Sequence, residues 1–85
     1  MPACTDTSTK PWVVEAGIQV VDQPFVAAGN VATAGGCLAS HYLASWILAR
    51  TAGRDVAADV LSYVTPVGQQ ADWAARVFAT IDPYL

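Results

Sequence analysis

The sequence predicts a small α+β fold. A short β-hairpin or meander over about residues 17–33 is followed by three helices, over about 37–52, 54–64 and 70–81. Three observations carry this expectation. The turn dipeptide Gly29-Asn30 separates two β-branched runs. Residues 37–52 contain no Gly, no Pro and one charge, Arg50, and Ala, Leu and Trp dominate them, which favours helix. Beyond Gly53, apolar residues recur at helical spacing in two further segments.

The elements follow in chain order. Thr5-Asp6-Thr7-Ser8-Thr9-Lys10-Pro11 is polar and turn-forming, so residues 1–11 are expected as a flexible lead-in and 12–85 as a single domain. Trp12-Val13-Val14-Glu15-Ala16 opens either a short helix or an extended segment. Ile18, Val20 and Val21 read as a strand. Pro24 interrupts it, because proline cannot donate to a ladder and belongs at an edge or a bulge. A second strand resumes at Phe25-Val26 and a third at Val31-Ala32-Thr33.

Gly35-Gly36 closes the β region, and the first helix begins at Cys37. Leu38, Tyr42, Ser45 and Trp46 share one face of it, and Leu43, Ile47 and Arg50 another. A helix apolar on most sides is expected to be buried. Arg50 suits its last turn and Gly53 its end. In the second helix Val56, Val60, Leu61 and Val64 form the apolar stripe, with Asp55, Asp59 and Ser62 facing out. Pro66 and Gly68 end it. In the third, Trp73, Val77 and Ile81 follow i, i+4, i+8 spacing, Asp72 and Arg76 form an i, i+4 pair, and Asp82-Pro83 stops the helix.

Composition bounds the function. The chain has 85 residues, 54% hydrophobic and 13% charged, with mean hydropathy +0.38. That is too apolar for disorder. The longest uncharged helical stretch, Gly35 to Ala49, is shorter than the roughly 20 residues a bilayer core needs. The net charge is −3, and the four basic residues Lys10, Arg50, Arg54 and Arg76 are scattered, so neither nucleic acid nor an anionic membrane surface is an expected partner. Residues 1–6 lack the basic and apolar regions of a signal peptide, and a cytoplasmic, reduced protein is expected. No cofactor and no metal are expected: Cys4 and Cys37 form no CxxC pair and have no histidine at ligand spacing.

Few side chains carry chemistry. His41 is the single histidine, far in sequence from any carboxylate, and reads first as a buried structural residue. Cys37 follows two glycines at a helix start, where backbone amides favour thiolate. It reads either as a reactive thiol or as a small packed residue at a tight turn. Cys4 lies in the polar lead-in with no strand to aim it. Gly35-Gly36 is a fragment of a phosphate loop without its spacing or its lysine. Trp12, Trp46 and Trp73 read as core or interface anchors.

One stretch is familiar. Val21-Asp22-Gln23-Pro24-Phe25, then Gly29-Asn30-Val31-Ala32-Thr33-Ala34-Gly35-Gly36-Cys37-Leu38-Ala39-Ser40, then an apolar helix ending Ala52-Gly53, resembles the C-terminal half of the DJ-1/PfpI (ThiJ) superfamily of class I glutamine amidotransferase-like proteins. Residues 57–64 and Pro66-Val67-Gly68 resemble the continuation. The resemblance implies part of a flavodoxin-like sandwich, truncated relative to the family. It also implies that Thr33, Gly35, Gly36, Cys37 and His41 lie near a ligand. The family's nucleophile elbow has no counterpart: Cys4-Thr5 is followed by Asp6 in place of glycine, and Cys37 is not at the nucleophile position.

The expected function is therefore a non-catalytic DJ-1/PfpI-like protein that folds as a homo-oligomer and binds a small molecule or a protein. Leu38, Tyr42, Trp46 and Trp73 are its expected interface. The alternative is a fragment that complements a separate, nucleophile-bearing N-terminal half to form a hydrolase, amidase or hydratase. An enzyme built on Cys37, with His41, is the third reading.

Overall fold

A computed structural model of the chain describes residues 2–85. Its α+β class is the one expected: α1 (Lys10–Glu15), β1 (Phe25–Ala28), β2 (Val31–Ala34), a 3₁₀ turn (Cys37–Ala39), α2 (Ser40–Thr51), α3 (Arg54–Val64), α4 (Gln70–Ile81) and a closing 3₁₀ turn (Asp82–Tyr84). The chain divides into two compact units, Met1–Leu43 and Ala44–Leu85. Among the described residues no helix is long and apolar enough to cross a membrane.

In the first unit β1 and β2 form an antiparallel hairpin with Phe25 opposite Ala34 and Ala28 opposite Val31. The loop is thus Gly29-Asn30, as expected, with positive φ at Gly29 alone. That is the type II′ pattern, whose twist matches the strands. The expected strand over Ile18–Val21 is not formed. Only Val20 pairs there, in an isolated parallel bridge with Ala3, through Ala3 N–H to the Gln19 carbonyl and Val21 N–H to the Ala3 carbonyl, both 2.9 Å. Parallel pairing between segments so distant in sequence leaves no local pattern.

Nor does the lead-in stand clear of the fold. Ala3 is paired, Cys4 is buried, and α1 begins at Lys10, so Trp12–Glu15 resolve as helix. Met1, the first residue of that expected lead-in, lies outside the described residues. Pro11 sits in the first turn of α1, where its missing N–H costs nothing. Lys10 Nζ reaches Asp22 Oδ1 at 3.1 Å and ties α1 to the loop before β1. Trp12, expected as an anchor, is 74% exposed.

The expected 37–52 helix is a 3₁₀ turn followed by α2, and it is buried on one face, not all round. Ala39, Tyr42, Ser45 and Trp46 are buried, while Leu38 and Ile47 are exposed. The buried set recurs every three or four residues, the spacing of a single helical face.

In the second unit the bounds of α3 and α4 are those read from the sequence. The buried stripe of α3 differs: Ala57 and Leu61 are inside, whereas Val56, Val60 and Val64 are exposed. Small Ala57 lets α3 approach α4, whose Val77, Phe78 and Ile81 fill the space. The Asp72–Arg76 pair is not among the ion pairs of the described residues, and the Arg76 guanidinium lies over the Trp73 ring, 5.1 Å from its centroid. Arg54 clasps the two helices. Its Nη2 meets Asp82 Oδ2 at 2.9 Å, its Nε meets Oδ1 at 3.3 Å, and its guanidinium covers the Phe78 ring at 4.3 Å. Trp46 is buried and donates its indole N–H to the Tyr84 carbonyl at 3.1 Å, under the Arg50 guanidinium.

Trp46→Ala should destabilise the chain by about 3–5 kcal/mol, most of what a domain this small has. Trp46→Phe keeps an aromatic ring but a smaller one, removes the indole N–H that the Tyr84 carbonyl accepts, and should cost less, about 1–3 kcal/mol. Urea unfolding of the two variants beside the wild type checks both values.

Candidate functional site

The first unit contains an open cleft of about 360 Å³ lined by Cys4, Thr5, Asp6, Thr9, Ala34, Gly36 and Cys37. Three pieces of chain build it: the segment pinned by the Ala3 bridge, the turn into α1, and the turn from β2 to the 3₁₀ helix.

Hydrogen bonds fix each piece. Cys4 N–H donates to Thr33 Oγ1 at 2.8 Å, joining the N-terminal segment to β2. Thr9 N–H donates to Asp6 Oδ1 at 2.7 Å and Lys10 N–H to the Asp6 carbonyl at 3.1 Å, closing the turn into α1. Gly35 N–H donates to the Pro24 carbonyl at 3.0 Å at the end of the hairpin.

The two glycines have distinct tasks. A Cβ on Gly35 would lie 3.0 Å from the Gln23 carbonyl oxygen, 3.1 Å from that of Thr5 and 3.5 Å from Cys4 Cβ, so only glycine lets the segments pass this closely. Gly36 turns the chain at φ +94°, ψ 150°, a conformation nearly reserved to glycine. That turn delivers Cys37 to the cleft.

The chemistry of the walls follows. Burial pushes the Cys4 thiol up from its usual range, against a smaller lowering by the Thr33 hydroxyl. Asp6 is held below the usual carboxylate range by the Thr9 hydroxyl and then by the Thr9 backbone N–H. The cleft thus offers a protonated buried thiol, an exposed thiol at Cys37, two threonine hydroxyls and a carboxylate. The Asp6 carboxylate lines the same cleft as Gly36 and disfavours a phosphate there. Among the described residues no cluster of three or more His, Cys, Asp or Glu side chains is placed to hold a metal ion.

Of the residues expected near a ligand, Gly36 and Cys37 line the cleft, while Thr33 and Gly35 hold its wall from behind. His41 is not among the lining residues; its ring lies 4.3 Å from that of Tyr42, tilted by 40°. Cys4, Thr5, Asp6 and Thr9 were not expected there. The only local signal for them was the Cys4-Thr5 pair itself, and its meaning depends on the Ala3–Val20 pairing. No family model matches the chain, and no curated protein is similar enough to it to count as a match.

A thiol whose folded pKa is raised adds stability that is fully present below the unfolded value, about 8.5. That contribution is lost as pH rises through the folded value. Wild-type stability should therefore fall between pH 8 and 10 more steeply than that of Cys4→Ala, as read from urea midpoints; parallel slopes would contradict the burial argument. For Asp6 the sign is opposite, and its contribution is lost as pH falls through its depressed value. Asp6→Asn should flatten the acid limb of the same curve.

Proposed function

We propose that the chain is a non-catalytic DJ-1/PfpI-like binding module that associates with a second copy of itself. The observation that carries this reading is the large apolar surface left on a small chain. Leu38 is 89% exposed, Tyr63 91% and Val67 95%, and Val56, Val60 and Val64 on α3 are exposed as well. Apolar side chains gathered on the surface of a short chain mark interaction sites. Leu38 remains the interface residue on its helix. Tyr42 and Trp46 are buried within the chain, so they offer no surface to a partner and are withdrawn from the expected interface. Trp73 is half-buried, with the Arg76 guanidinium over its ring, and stays in the proposed interface.

At Cys4 the cleft does not favour nucleophilic catalysis. A nucleophilic cysteine needs a lowered pKa, and burial moves Cys4 the other way. Hydroxyls, a carboxylate and a tight glycine turn suit a small polar, uncharged or cationic ligand.

A second reading, in which a separate polypeptide completes the fold, is favoured by the lone parallel bridge between Ala3 and Val20. Parallel pairs are ordinarily parts of larger, covered sheets.

Size-exclusion chromatography with light scattering distinguishes the two. The purified chain should run as a dimer or larger, and Leu38→Asp should weaken association at least about tenfold, corresponding to about 1.4 kcal/mol. A monomer at every concentration, co-purifying with a second polypeptide, would favour the second reading. A stable monomer with no partner would overturn both.

A further inference from the structure

We propose that Cys4 and Cys37 form a reversible intramolecular disulfide across the cleft, which makes the cleft a thiol redox switch. These are the chain's two cysteines, 33 positions apart in sequence, and both stand on the wall of the same cleft. The backbone places them there. The chain at Cys4-Thr5 runs against Gly35 so closely that a Cβ on Gly35 would touch Cys4 Cβ at 3.5 Å. Cys37 follows two residues later, after the turn at Gly36. A Cβ on Gly36 would meet nothing within 4 Å, so the turn between Gly35 and Cys37 is uncrowded on that side.

The two thiols differ in access: Cys37 is exposed and meets a solvent oxidant first, while Cys4 is buried. The co-reactant is a hydroperoxide. The Cys37 sulfur attacks one peroxide oxygen, the O–O bond breaks, and the departing hydroxide leaves with the Cys37 thiol proton as one water, giving a sulfenic acid at Cys37. The Cys4 sulfur then attacks Cys37 Sγ. The S–S bond forms, the S–O bond breaks, and the hydroxyl leaves with the Cys4 proton as a second water. The thiol pair supplies two electrons and the peroxide accepts them. A dithiol reductant reverses the change.

Closing this bond joins the Ala3–Cys4 segment to the turn after β2 and narrows the cleft mouth. It involves no catalytic role for either residue, so it stands or falls independently of the binding reading above.

The test exposes the full-length chain at low concentration to a few equivalents of hydrogen peroxide and reads intact mass, free thiols and cross-linked peptides. The wild type should lose the mass of two hydrogens and both alkylatable thiols, and recover them with dithiothreitol. Cys37→Ser should keep Cys4 as a thiol under the same treatment. In a glutathione redox titration the disulfide should be favoured at least about tenfold more in the folded chain than in the urea-unfolded chain, where only random loop closure operates. Accumulation of Cys37 sulfinic acid beside a free Cys4 thiol, a covalent dimer as the main product, or no gain on folding would each overturn the proposal. The titration needs only the wild type, so it decides even where a cysteine variant fails to fold.

Discussion

The first unit depends on one close approach: the chain at Ala3–Thr5 lies against the end of the hairpin. Two backbone hydrogen bonds to Ala3, one from Cys4 to Thr33, and the bare Cα of Gly35 make that approach possible. Remove the approach and Cys4 becomes solvent-exposed, the cleft loses a wall, and the Gly35-Gly36 turn has nothing to turn against. Backbone groups in such a contact must be paired, because an unpaired buried donor costs about as much as a lost hydrogen bond. The sequence meets this demand with Thr33, whose hydroxyl serves as the acceptor that a regular strand neighbour would otherwise supply.

The second unit rests on helix packing. α3 packs on α4, Ala57 and Leu61 of the one and Val77, Phe78 and Ile81 of the other are buried, and Arg54 bridges to Asp82. The bridge is exposed, and such pairs contribute up to about 1 kcal/mol. Its second contact, over the Phe78 ring, adds shielding that the ion pair alone lacks. Packing therefore sets the stability of this unit, and Arg54 adds to it at the edge.

The legible parts of the fold were those governed by local rules. Gly29-Asn30 announces its turn, Gly53 and Pro66 bracket α3, and Pro83 marks the end of α4, because capping and turn chemistry act over a few residues. The Ala3–Val20 pairing was not legible, since parallel partners leave no periodic trace. The stripe of α3 was misassigned for a different reason: valine outranks alanine in hydrophobicity, yet close helix approach selects the small Ala57. The candidate site divides the same way. Gly36 and Cys37 follow from their own turn, whereas Cys4, Thr5 and Asp6 become site residues only through tertiary contact.

The central claim is that the segment at residues 3–5 is an integral wall of the cleft. Native-state amide hydrogen exchange at Cys4 and Val21 tests it most directly. Both amides donate within the fold, to Thr33 and to the Ala3 carbonyl, and should exchange as slowly as the hairpin amides of β1 and β2. Exchange at the rate of an unstructured peptide, while the hairpin stays protected, would contradict the account.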